Sequence, residues 1–279
     1  MIKAKGDGIQ IQLAVWEGEG KPILCLHGIT ANCRSWDGLA SVLAPRHRIL
    51  AMDLRGRGFS DKPPSGYSIE HHLRDILALL NDLQIEKAVL MGHSLGAFIS
   101  LAFAARYPPR TDRLILVDGG GKLSEAQSAK VFAGIKPALD RLGQVFPSAE
   151  AYLSRMKEAP YLQPWNDFLE TYVRYEIEEY QGGVRVNIKP EHIQEEAINL
   201  GKVDSSQFYP QIRVPTLILR ATKGLLAEDD ILLPEDVVGR MTREIPRARR
   251  VDLEGTNHYS ILFQPNTHRD QAIFDFLKS

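Results

Sequence analysis

The stretch Gly92-His93-Ser94-Leu95-Gly96 decides how this chain is read. An apolar run at 87–91 leads into it, and an Ala-rich apolar run at 95–107 leaves it before Pro108 and Pro109. That pattern is a strand, a sharp turn and a helix stopped by proline. A serine on such a turn is held in strained dihedrals with its hydroxyl lifted clear of the sheet. Gly92 and Gly96 keep side chains out of the crowded turn, and the helix N-terminus favours negative charge beside the hydroxyl. A chance glycine-rich turn would lack these flanks. Ser94 is therefore the candidate nucleophile.

Working outward, short β-rich runs at 9–16, 22–26, 48–52, 113–117, 216–219 and 249–253 alternate with helical patterns at 68–83, 235–245 and 265–277. This rhythm indicates an α/β fold: a mostly parallel central sheet with flanking helices and an early antiparallel strand at 9–16. In 68–83, Ile69, Leu73, Ile76, Leu77, Leu80 and Leu83 share one face, and Ser68 stands where an N-cap belongs. Segment 119–210 breaks the rhythm, because about 90 residues then separate two buried strands, far beyond an ordinary crossover. It carries helical patterns near 125–142, 149–157, 165–180 and 191–200, and half of the chain's aromatic residues. It reads as an inserted helical cap on a core made of 1–118 and 211–279. Most of its aromatics form the cap's own small core, and a few are expected to line a pocket facing the sheet.

Two further motifs stand at strand ends. His27-Gly28-Ile29-Thr30 follows the run at 22–26, and Asp53-Leu54-Arg55-Gly56-Arg57-Gly58-Phe59-Ser60 follows the run at 48–52. Taken with G-x-S-x-G, and in this order, they closely resemble the α/β-hydrolase superfamily over essentially the whole chain. The resemblance is specific for the fold and not for substrate. It implies an oxyanion hole made by the backbone N–H groups of Ile29 and Leu95. It also implies that the general base is His258, in Gly255-Thr256-Asn257-His258-Tyr259 after the last strand. Of the other histidines, His27 reads as structural and His93 is expected to point elsewhere. His71, His72, His192 and His268 read as surface, and His47 as part of a polar turn.

The acid that orients the base stays open at this level. Relatives usually carry it after the strand that is here 216–219, but Arg220-Ala221-Thr222-Lys223-Gly224 departs from their G-x-x-D pattern. Asp230, four residues before Pro234, is one alternative, with Glu228 and Asp229 behind it. Asp118 ends the run at 113–117, where some relatives place their acid, and it is the residue assigned here. Its bland reading is a turn-forming Asp before Gly119 and Gly120.

The 279 residues are 44% hydrophobic and 25% charged, which is ordinary globular usage. A net charge of −1 gives no pull toward nucleic acid or anionic membranes. The apolar runs are far shorter than a membrane span, and residues 1–7 show no apolar signal-peptide stretch. Only Cys25 and Cys33 are present, which fits a reducing, cytoplasmic setting. Cys25 reads as a core residue and Cys33 as partly exposed near the site. Neither a cofactor motif nor metal-ligand spacing is seen, and acyl transfer of this type needs neither.

These features point to a serine hydrolase cleaving a small-molecule carboxylic ester through an acyl-enzyme on Ser94. The same triad also serves amide, lactone or C–C bond cleavage. Thr30 resembles the HGIT loop of amide-cleaving superfamily members that handle anionic substrates, for which Arg155, Arg174 and Arg185 are candidate cap cations. A cofactor-free haloperoxidase is a minor variant. A ligand-binding receptor keeping the fold is the non-enzymatic alternative, distinguished by the lack of turnover. Oligomeric state is not readable.

Overall fold

The computed structural model describes residues 1–278. Its core is an eight-stranded sheet. The strands are β1 (Ile2–Lys5), β2 (Gln10–Trp16), β3 (Ile23–Leu26), β4 (Ile49–Met52), β5 (Ala88–His93) and β6 (Thr111–Val117), then β10 (Thr216–Ala221) and β11 (Ala248–Leu253). They stand in the order β1-β2-β4-β3-β5-β6-β10-β11. Only the β1–β2 and β2–β4 pairs are antiparallel. From β4 onward every pair is parallel.

A parallel sheet needs crossover helices on both faces, and its strands are apolar on both sides. β3 shows this, since Ile23 and Cys25 enter one core and Leu24 and Leu26 the other. α1 (Asp37–Leu43), α9 (Ser260–Phe263) and α10 (Thr267–Lys278) cover the first face. α2 (Ile69–Asp82), α3 (Leu95–Arg106) and α8 (Glu235–Glu244) cover the second. α3 is buried almost all round, from Leu95 to Ala104, which its Ala-rich sequence allows. Each fully buried Leu, Ile or Phe contributes about 1.5–3 kcal/mol. Ser68 has the extended backbone of an N-cap, but its hydroxyl pairs with His71 Nδ1 at 2.8 Å instead of capping α2.

Between β6 and β10 lie α4 (Glu125–Asp140), α5 (Ala149–Lys157), α6 (Asp167–Tyr175) and α7 (Pro190–Gly201). The insert is not helical throughout. β7 (Val145–Phe146), β8 (Ile177–Tyr180) and β9 (Gly183–Val186) form a small antiparallel sheet in the order β7-β9-β8. The helical pattern read over 165–180 therefore ends at Tyr175. Its last residues pair with β9 through a two-residue turn in which Gln181 and Gly182 have φ of 48° and 79°. Two positive φ values are what a tight hairpin turn requires.

Polar contacts fasten the insert to the core. Tyr175 Oη donates to Asp53 Oδ2 at 2.8 Å, and Glu195 accepts the N–H groups of Gly66 and Tyr67 at 3.0 Å each. Glu196 lies fully buried between Arg57 Nη1 at 3.0 Å and His72 Nε2 at 2.8 Å. His72 is thus interior, and so is His192, stacked on Tyr67 with ring centroids 4.3 Å apart. Both differ from the surface placement that the sequence suggests, because their partners lie far away in sequence. Cys33 is also fully buried, not partly exposed, and both cysteines are free. Among the described residues no helix is long and apolar enough to cross a membrane.

Candidate active site

Ser94 stands between β5 and α3 with φ 54° and ψ −120°, the left-handed conformation expected of the elbow. Its N–H donates to Val117 O at 3.2 Å, which ties the turn to the neighbouring strand. Close packing enforces the glycine at 96, because a Cβ there would lie 2.0 Å from the Leu26 carbonyl oxygen. Ser94 is partly exposed, whereas Gly92, His93, Leu95 and Gly96 around it are buried.

Asp118 closes β6 with φ 44°. Its Oδ2 lies 2.8 Å from His258 Nδ1, and its Oδ1 accepts the Ala221 N–H at 3.1 Å. A carboxylate only accepts, so Nδ1 of the neutral imidazole carries the hydrogen and Nε2 keeps its lone pair. The His258 loop is set by Asn257, whose Oδ1 accepts the N–H groups of Tyr259 and Ser260 at 3.0 and 2.8 Å. Ser94 and His258 line one cavity. Asp230 sits elsewhere, accepting the N–H groups of Leu226 and Ala227 in its own turn at 2.9 and 3.1 Å. Asp229 pairs with Lys130 at 2.6 Å, and Glu228 is exposed. The structure brings Asp118, and none of these three, to His258.

His93 does not point away. Its Nε2 donates to the His258 carbonyl at 2.9 Å, and the two rings lie 4.3 Å apart. Burial, and then proximity to His258, holds the His93 imidazole well below its ordinary value. It is a neutral prop beneath the candidate base.

The loop at 28–31 leans on Ser94, since a Cβ at Gly28 would lie 3.2 Å from Ser94 Cβ. His27 fixes how that loop presents its amides. Leu54 N–H donates to His27 Nε2 at 3.0 Å, so the proton is on Nδ1 and is given to Gly28 O at 2.7 Å. Gly28 O also accepts the Ala31 N–H at 3.1 Å, and together these orient the peptide whose N–H belongs to Ile29. Burial keeps the His27 imidazole down at about 3, so this tautomer persists at neutral pH. Arg57 Nε donates to Ile29 O at 3.0 Å and Arg141 Nη2 to Thr30 O at 3.2 Å. Neither the Ile29 nor the Leu95 N–H donates to a protein acceptor among the described residues, and both residues line a chamber with Ser94.

Arg57 is visible in the sequence as the second arginine of D-L-R-G-R-G. Arg141 gives no such signal, because its buried partner Glu176, 2.8 Å away, lies across the insert. The three arginines that the sequence offers as candidate cap cations line neither chamber beside Ser94. Arg174 spans Glu150 and Glu170, Arg185 pairs with Glu178 at 2.8 Å, and Arg155 lies over the Phe146 ring.

With this fold and these loops in place, the chain belongs to the α/β-hydrolase family, whose model matches residues 21–265. The family is one of hydrolases. An uncharacterised protein of Mycobacterium tuberculosis is 38% identical over 138 residues, which is 48% of this chain and 40% of that protein. The match therefore spans less than half of that relative's length. The 2-(acetamidomethylene)succinate hydrolase of Mesorhizobium japonicum is 30% identical over 92% of this chain and 89% of the enzyme. The crystal structure of an E-2-(acetamidomethylene)succinate hydrolase aligns with a TM-score of 0.87 at 25% identity, covering 100% of this chain and 98% of that one.

Proposed function

We propose that this chain is a serine hydrolase of small-molecule carboxylic esters. Ser94 is the nucleophile, His258 the general base and Asp118 the group that orients it. The single observation that carries this reading is the 2.8 Å contact from Asp118 to Nδ1 of His258, a residue that lines one cavity with Ser94.

The chemistry follows from the geometry. His258 Nε2 takes the Ser94 proton as Oγ bonds to the acyl carbon. The developing oxyanion meets the N–H groups of Ile29 and Leu95, each worth roughly 10²–10³ in rate. The C–O bond to the alcohol breaks, and His258 returns the proton to the departing alkoxide. Water then attacks the acyl-enzyme by the same proton path. Asp118 holds the tautomer and stabilises the imidazolium. The insert at 119–210 acts as a cap over Ser94. The two unbonded cysteines support a cytoplasmic setting.

A second reading is supported by the 30% identical relative named for a substituted succinate, together with Thr30 in the loop at 28–31. On that reading the same triad cleaves an amide of a dicarboxylic acid. Initial rates on p-nitrophenyl esters, beside an N-acyl amide of a dicarboxylate, decide between the two. Ester turnover that Ser94→Ala abolishes supports the first. Turnover of the amide alone moves the assignment to the second, and ester turnover that survives Ser94→Ala overturns the mechanism.

A further inference from the structure

Two chambers of very different size meet at Ser94. They share Ile29, Ser94, Val131, Ile135 and Leu232, but their remaining walls differ. The smaller, about 70 Å³, contains His258, His93 and Tyr259. The larger, about 470 Å³, contains Leu95 and is walled by Phe98, Phe132, Leu200 and Val203. No histidine lines the larger chamber.

The chemistry proposed above, on which this inference rests, assigns each chamber a part of the ester. When the bond between the acyl carbon and the alkoxy oxygen breaks, that oxygen takes its proton from His258. The alcohol must therefore leave through the chamber that contains His258. At about 70 Å³ against about 470 Å³, this chamber is the smaller of the two by nearly sevenfold, and so suits the smaller part of the ester. The acyl chain is left with the larger chamber, whose volume is that of an ordinary ligand pocket.

The walls define the chain's chemistry. The larger chamber's lining has no arginine, and its one lysine, Lys122, is exposed and shares the lining with Glu125. A carboxylate at the end of the acyl chain would lie against the partly buried Phe98 and Leu200 without gaining a dedicated partner, which is unfavourable. An alkyl chain there is favoured, each added methylene raising kcat/KM about threefold to fourfold. We infer that the substrate is a neutral ester of a medium-length apolar acid with a small alcohol, and not a dicarboxylate.

The test uses two isomers, ethyl hexanoate and hexyl acetate, which have the same atoms but place the long chain on opposite sides of the carbonyl. Initial rates with the intact protein should favour ethyl hexanoate at least tenfold in kcat/KM. Equal rates, or a preference for hexyl acetate, overturn the assignment of the chambers. Adipic acid monoethyl ester should react at least a hundredfold more slowly than ethyl hexanoate, and comparable rates overturn the apolar assignment. Ala197→Phe narrows the larger chamber and should lower the ratio of kcat/KM for ethyl hexanoate over ethyl acetate at least tenfold. An unchanged ratio would place the chain elsewhere. If no ester is turned over, the ester reading fails by itself, and calorimetry still tests the chamber. Hexylboronic acid, which adds to the serine hydroxyl, should then bind at least tenfold tighter than methylboronic acid, and equal affinities overturn the inference.

Discussion

Asp118 Oδ2 and His258 Nδ1 are 2.8 Å apart although 140 residues separate them in sequence, and the second Asp118 oxygen is held by the Ala221 N–H. The carboxylate is thus fixed from two sides before it meets the imidazole. Asp118→Asn puts an amide where the His258 hydrogen must be accepted and favours the wrong tautomer. We expect kcat to fall about 10³–10⁴-fold with the fold intact. Asp230→Asn should leave kcat within about threefold, because Asp230 serves only the amides of its own turn. Steady-state kinetics on one ester, beside thermal melts, separates the two.

His93→Phe keeps a ring beneath His258 but removes the hydrogen bond to the His258 carbonyl. The expected result is a loss of about tenfold in kcat, with KM little changed. A loss as complete as that of Ser94→Ala would make His93 part of the proton path and require the base to be reassigned.

Gly96→Ala tests the packing of the elbow. The new methyl would meet the Leu26 carbonyl oxygen at 2.0 Å, and that oxygen is held in the backbone of β3 and cannot step aside. Destabilisation of about 3 kcal/mol or more is expected, read as a lower urea midpoint.

Glu196 gives a pH signature. Burial alone would raise its carboxyl, but His72 and Arg57 bring it down to about 2. A carboxylate depressed by folding stabilises the native state above its unfolded value of about 4.3 and loses that contribution as pH falls through the folded one. The window is therefore about pH 4.3 to 2, and the contribution is on the order of 3 kcal/mol. Glu196→Gln should be clearly less stable than the parent at pH 7, with the gap closing toward pH 2. Denaturant melts at several pH values check this, and a gap that stays constant would refute the linkage.

Much of this was legible in the sequence because the elements that build the site are local. The run into Ser94, the turn glycines and the helix after it are contiguous, and β3, β4, β6, β10 and β11 begin within two residues of the runs that announced them. The insert was harder. Ile177-Glu178-Glu179-Tyr180 carries residues a helix tolerates, and only its pairing with β9 makes it a strand. His72 and His192 read as polar surface because nothing near them in sequence reveals Glu196 or Tyr67. The sequence ranks Asp118 above Asp230 because it ends the run at 113–117, but the distance that decides between them crosses the sheet and is visible only in the structure. The contact of His93 with His258 was hidden for the same reason.

The positive φ of Ser94 carries a consequence for anyone who alters this protein. A side chain in that conformation costs roughly 1–3 kcal/mol that glycine would not incur. Ser94→Gly should therefore melt at a higher temperature than the parent while hydrolysing nothing. A search for heat tolerance that never measures turnover will be drawn to this position, as to Gln84, Asp118 and Gln181 with their positive φ, and at Ser94 will return a sturdier protein with its chemistry removed.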